Sequence, residues 1–245
     1  MYDTSLKNTI TNPSPEFSAF ITQYFEDYMY VARGEHDLSL PLKLHGEELE
    51  VAKKITIQNI YLSKCEGSQL PYLAFRFDLK DLIPVFKKCF ESAIRLDVKV
   101  RVGFVLYKWD ELDSYITFCK TILGTVDSDP TTPNHLSSGK MEILGLTFVS
   151  TENDYSLKPK ESFELLLIAL LDTDLDIRKE AFWYFNATFN KEYKKLKGLE
   201  KLDKLQEDEK YYIADDVYKD KELFNKRLQE LKNQLSDCNP IAHVF

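Results

Sequence analysis

Apolar residues recur along this chain in rhythms that change from one region to the next. Near the amino terminus, Phe17, Phe20, Ile21, Tyr24, Phe25 and Tyr28 fall three and four apart, the spacing of one helix face, while Glu26 and Asp27 point the other way. Pro13-Ser14-Pro15 starts this helix, with Ser14 as N-cap, Pro15 in the first helical position and Glu16 in the first turn; the pattern carries it to about Ala32. Gly34 ends it, and an irregular connection with Pro41 leads to Gly46.

The middle of the chain alternates instead. Ile55, Ile57, Ile60 and Leu62 suggest a strand, Cys65-Glu66-Gly67-Ser68 a turn, and Leu73, Phe75 and Phe77 a half-buried strand that closes a hairpin. A helix from Asp81 sets Leu82, Phe86, Cys89, Phe90, Ala93 and Ile94 on one side, with Pro84 tolerated in its first turn. Val98 to Tyr107 returns to period two, so strand, helix and strand imply a right-handed crossover. Trp109 to Leu123 fits a further helix, Thr125 to Lys140 a polar loop, and Met141 to Val149 a last strand.

From Phe163 to Phe189 the period is helical again. Phe163, Leu166, Leu167, Leu170 and Leu171, with Leu165, Ile168 and Ala169 between them, leave little of a first helix for water. A second helix is one-sided through Ile177, Ala181, Tyr184, Phe185, Thr188 and Phe189. Asp174 between them is placed to cap the second helix, and Asp176 suits its positive start. Thinly apolar helices follow, one with leucines at 196, 199, 202 and 205 and a last one from Val217 to Leu235. The fold expected is therefore α+β: a mixed sheet of about four strands with flanking helices over residues 1–155, then a helical region over 156–245, as two regions or one continuous domain.

Composition adds bounds. With 44% hydrophobic and 13% aromatic residues in 245, the chain has the material for a core and does not read as disordered. Cys65, Cys89, Cys119 and Cys238 show no paired spacing and read as reduced thiols, and no basic start with an apolar run opens the chain, so a cytoplasmic setting is expected. The longest apolar run, Leu165 to Leu171, is too short to cross a bilayer. The net charge of −8 is uneven: residues 1–50 hold 3 basic and 9 acidic side chains, residues 51–108 hold 11 and 5, and residues 191–245 hold 12 of each. An acidic chain argues against binding phosphate backbones and leaves room for a basic protein partner.

Motifs with chemical meaning thin out on inspection. Asp172, Asp174 and Asp176 alternate as in a calcium loop, but Ile177 and Trp183 stand where Gly and a bidentate Glu belong. His36 and His45, near Glu35, Asp37, Glu47 and Glu48, match no metal-ligand spacing. Ser138-Gly139-Lys140 lacks the leading glycine of a phosphate loop and runs into an expected strand. Asp78, Asp97 and Lys99 offer the residue types of a metal-dependent nuclease, but an expected helix intervenes between the two acids. No catalytic residue, metal site or cofactor is expected.

Ala169 to Phe185, ALLDTDLDIRKEAFWYF, resembles the turn and second-helix start of a HEAT repeat: an apolar helix end, Asp172 and Asp174 in the turn, then Ile177-Arg178 and Ala181. That resemblance implies a helix pair that stacks on neighbours and serves as a scaffold for protein partners; it is confined to one helical hairpin, without a second copy at a repeat period. The function expected is a non-catalytic, cytoplasmic protein-binding module, of which an inhibitor or immunity-type protein is one form, recognising a basic partner through Glu26, Asp27, Glu35 and Asp37. A structural subunit of a larger assembly and a divergent metal-dependent hydrolase or nuclease are the alternatives. Oligomeric state is left open.

Overall fold

A computed structural model describes residues 2–27, 37–67, 69–125, 135–147 and 156–193, with the backbone alone of 135 and of 186–193. All regular structure among the described residues is helical; they contain no strand, so the expected mixed sheet and the α+β class are overturned. The chain divides into two compact units, Met1–Tyr115 and Ile116–Phe245.

In the first unit a 3-10 turn, Ser5–Thr9, precedes α1 (Pro15–Ile21), which continues through a π turn at Thr22–Glu26. Ser14 caps α1 by accepting the Phe17 N–H at 3.0 Å. Its own N–H and hydroxyl donate to Glu48 at 2.7 and 2.8 Å, which ties this cap to the first turn of α3 (Gly46–Ser63). Between them lies the short α2 (Leu40–Lys43), and after α3 come α4 (Leu70–Arg76), α5 (Ile83–Ser92) and α6 (Leu96–Lys108). The expected stripe on α1 is buried from Phe17 to Phe25, where the Phe20 ring meets Tyr24, Phe25 and Phe77 at 5.1, 5.6 and 5.9 Å.

Each expected strand is a helix for an identifiable reason. On α3 the buried positions are Val51, Ala52, Ile55, Thr56, Asn59 and Ile60, a helical stripe in which two polar residues replace apolar ones. Thr56 donates to the Ala52 carbonyl at 2.9 Å. Asn59 donates to the Ile55 and Asp3 carbonyls at 2.9 and 2.8 Å and accepts the Asp3 N–H at 2.7 Å, so its amide is satisfied inside. On α4, Leu70, Leu73, Ala74 and Phe77 form the inner face, which makes the alternation of Leu73, Phe75 and Phe77 coincidental. Helix α6 is buried from Asp97 to Leu106 apart from Lys99, packed on α4 and α5; a helix enclosed on all sides has no polar face to mark its period, and its valines mimic a strand. The crossover of strands falls with them.

In the second unit, α7 (Tyr115–Gly124) begins at the division, followed by α8 (His135–Leu146), α9 (Pro159–Ala169) and α10 (Leu175–Tyr193). Of the strand expected over Met141 to Val149, Met141 to Leu146 lie in α8 and Thr147 in the turn after it, and Ser138-Gly139-Lys140 is helical too. Helices α9 and α10 form the hairpin expected from the sequence and both pack on α8. The expected helices beyond residue 193 lie outside the described residues. No helix among the described residues is long and apolar enough to cross a membrane.

Candidate functional site

The turn between α9 and α10 is ordered by its aspartates. Asp174 caps α10 by accepting the Asp176 N–H at 2.9 Å, and Asp172 accepts the Asp174 N–H at 2.9 Å. Arg178, one turn into α10, reaches back to the carbonyls of Asp172 and Thr173 at 2.6 and 3.1 Å. These aspartates act as caps, and Ser137 of α8 adds a hydroxyl to Asp174 at 3.2 Å.

Beneath the turn lies a buried ion pair. Lys140 projects from α8 onto the Asp172 carboxylate, the two side chains being 4% and 2% exposed, and donates a second bond to the Thr125 carbonyl at 2.7 Å. Because Thr125 follows directly on α7, this ammonium joins the end of α7 to the α9–α10 turn. Leaving either charge behind alone would be costly, so the pair fixes how far apart these elements stand. Lys120 on α7 and Glu164 on α9 add an exposed bridge at 2.7 Å, a minor contribution in water.

The elements held apart in this way enclose a partly open cleft of about 350 Å³, lined by Leu123, Gly124 and Thr125 on one side and Leu167, Ile168, Leu171, Asp172 and Thr173 on the other. The first hairpin helix is thus not covered all round as its composition suggests. Leu165, Leu166, Ala169 and Leu170 are buried, Leu167 and Ile168 face the cleft, and Leu171 is half exposed. The Asp172 carboxylate on the rim already holds an ammonium and a backbone N–H, so the cleft offers an aliphatic surface with hydroxyls at its edge. Such a surface suits an apolar anchor group.

The acidic residues singled out in the sequence lie in the first unit. Glu26 pairs with Lys7 and accepts the Thr4 hydroxyl at 2.9 Å. The hydrogen bond from Lys7 holds the Glu26 carboxyl below its usual range. Asp37 accepts the Ser39 hydroxyl and N–H at 2.5 and 2.8 Å, with Lys43 at 3.6 Å, and the Ser39 bonds lower its carboxyl likewise. Asp27 follows the π turn and donates its N–H to the Thr22 carbonyl at 2.8 Å. Glu35 and His36 lie outside the described residues. Two of the four acids are therefore engaged by lysines of the same chain, which sequence spacing does not reveal.

The residues weighed as a nuclease site are placed in different surroundings. Asp78 is exposed near Lys80 at 3.5 Å. Asp97 is buried against Arg101, one helical turn on, and takes two bonds from Arg95 at 3.1 and 2.7 Å. Burial alone would raise the Asp97 carboxyl; the Arg95 hydrogen bonds and the Arg101 charge outweigh it and hold it below the usual range. Its oxygens serve guanidinium groups. No cluster of three potential metal ligands occurs among the described residues. Comparison of the chain with protein families, with curated proteins and with solved structures returns no match.

Proposed function

We propose that this chain is a non-catalytic protein-binding module, and that the α7–α9 cleft receives an apolar side chain from a partner segment carrying positive charge around it. The observation that carries this reading is the cleft itself: an aliphatic wall of Leu167, Ile168 and Leu171, left open while a buried Lys140–Asp172 pair holds its rim. A preset apolar pocket beside rigid elements lowers the ordering cost of association. The charge preference follows from the net charge of −8 and from Asp174 and Asp176, next to the cleft-lining Thr173. The scaffold role implied by the hairpin's resemblance to a HEAT repeat points in the same direction. A cytoplasmic setting and an inhibitor or immunity-type role are compatible forms of this proposal.

Binding through Glu26, Asp27, Glu35 and Asp37 is a second surface for the same partner class. There a basic partner has to displace Lys7 and Lys43 from Glu26 and Asp37. Leu171→Glu and, as a control in the other unit, Leu62→Glu separate the two surfaces, since these leucines are 50% and 65% exposed and both variants should keep their fold. With a partner captured from the native host by the intact chain, Leu171→Glu is expected to weaken binding at least about tenfold, the equivalent of one unpaired charge pressed into an apolar contact, while Leu62→Glu leaves it unchanged. Undiminished binding by Leu171→Glu removes the cleft from the account; loss of binding only on charge reversal of the four acids moves the site to the first unit.

A further inference from the structure

The turn that follows α3 brings two cysteines together. Cys65 lies just past the helix end and Cys89 lies within α5, 24 residues later, and their sulfurs are 2.7 Å apart. Carbon atoms in van der Waals contact settle at roughly 3.5–4.0 Å, and these larger sulfurs stand closer than that. Both positions are rigidly supplied. Lys64 and Cys65 hold left-handed conformations, φ 51° and 66°, stabilised by the Cys65 N–H on the Ile60 carbonyl at 3.2 Å and the Glu66 N–H on the Ser63 carbonyl at 3.0 Å. Cys89 sits one turn beyond the buried Phe86, whose ring stacks on Trp109 at 5.8 Å and fixes α5.

We propose that Cys65 and Cys89 form a reversible thiol–disulfide switch, oxidised by a small-molecule disulfide such as glutathione disulfide, which ties the α3–α4 turn to α5. The two sulfurs differ in a way that assigns the order of events. Cys65 is fully buried, whereas Cys89 is partly exposed and also lies 3.6 Å from the Lys64 carbonyl. The hydrogen bond from Cys65, with the Lys88 charge nearby, holds the Cys89 thiol below its usual range, while that same bond and burial push the Cys65 thiol up. The Cys89 thiolate attacks one sulfur of glutathione disulfide; its S–S bond breaks, a Cys89–glutathione bond forms and one glutathione thiolate leaves. Cys65 then loses its proton to the departing thiolate and attacks the Cys89 sulfur, which forms the internal disulfide and releases the second glutathione. Two cysteine thiols are oxidised and one glutathione disulfide is reduced to two thiols. Excess reduced glutathione runs the sequence backwards, as befits a compartment in which disulfides are transient.

The test incubates the full chain with glutathione disulfide, quenches it in acid, unfolds and alkylates it, and maps the cysteines by mass spectrometry. Intact protein is expected to show Cys65 and Cys89 linked to each other, with Cys119 alkylated. Cys65→Ser, which lacks the resolving thiol, is expected to accumulate glutathione on Cys89, and Cys89→Ser to leave Cys65 alkylated. A persistent glutathione adduct on Cys89 in the intact chain, no modification of either residue, or a principal link to Cys119 or Cys238 overturns the proposal. Since the decisive reading is made on the unmutated chain, a variant that fails to fold does not rescue it.

Discussion

Gly103 sits where α6 passes close to the Phe90 and Tyr115 rings. A Cβ there would lie 2.8 Å from the Phe90 ring and 2.9 Å from two atoms of the Tyr115 ring, and Tyr115 is fully buried with its hydroxyl on the Val100 carbonyl at 3.0 Å. Alanine in a helix interior gains about 1 kcal/mol over glycine, whereas overpacking of this kind costs about 1–3 kcal/mol. Gly103→Ala is therefore expected to lower stability by about 1 kcal/mol in urea unfolding, against the helix-propensity trend; a stabilised variant would show that the rings yield. Asp97 makes a pH prediction. Its folded carboxyl titrates below the ordinary 3.8, so its stabilisation is complete above that value and is lost as pH falls through the lower folded value. Thermal melts of the intact chain should therefore lose more stability below pH 3.8 than those of Asp97→Asn, which lacks this carboxylate at every pH. At neutral pH the variant should be the weaker by about 3–5 kcal/mol, because Arg101 keeps a buried charge without its partner.

At the scale of elements, the α9–α10 hairpin and α1 were legible because their signals are local. Ser14-Pro15 and Asp174 each lie at a helix start, and the N–H groups they cap, those of Phe17 and Asp176, are three positions away or fewer. Helices α3 and α6 carry strand-like spacing because burial reorganises their patterns. Thr56 and Asn59 interrupt the apolar stripe of α3 while being satisfied internally, and the near-complete burial of α6 removes its polar face. The one helical marker in α6, Asp97 paired with Arg101 at i and i+4, is lost among its valines. The Lys140–Asp172 pair spans 32 residues and the Cys65–Cys89 contact 24, so neither leaves a mark on local spacing. This also fixes what mutation does to the cleft rim. Lys140→Ala should destabilise by about 3–5 kcal/mol by leaving the buried carboxylate alone, whereas Lys140→Met combined with Asp172→Leu should recover most of that loss in chemical denaturation. A double variant no more stable than the single one would mean that the Thr125 and Asp174 bonds, not the charges, hold the turn.

For the whole molecule, the all-helical character of the described residues predicts far-ultraviolet circular dichroism dominated by helix, where a four-stranded sheet would add a strand component. The site was less legible than the helical hairpin. Acid was read from composition as a surface for a basic partner, but Lys7 and Lys43 reach Glu26 and Asp37 only in the folded chain. The cleft, by contrast, is built from residues that sequence assigned to a closed core: Leu167, Ile168 and Leu171 look interior by their spacing and line an opening instead. The most direct measurement is photo-cross-linking of the full chain to its captured partner, with a benzophenone amino acid placed in turn at positions 171, 26 and 37. The account predicts a cross-link from position 171 to an apolar residue flanked by Lys or Arg in the partner. Cross-links from 26 or 37 with none from 171 would contradict it.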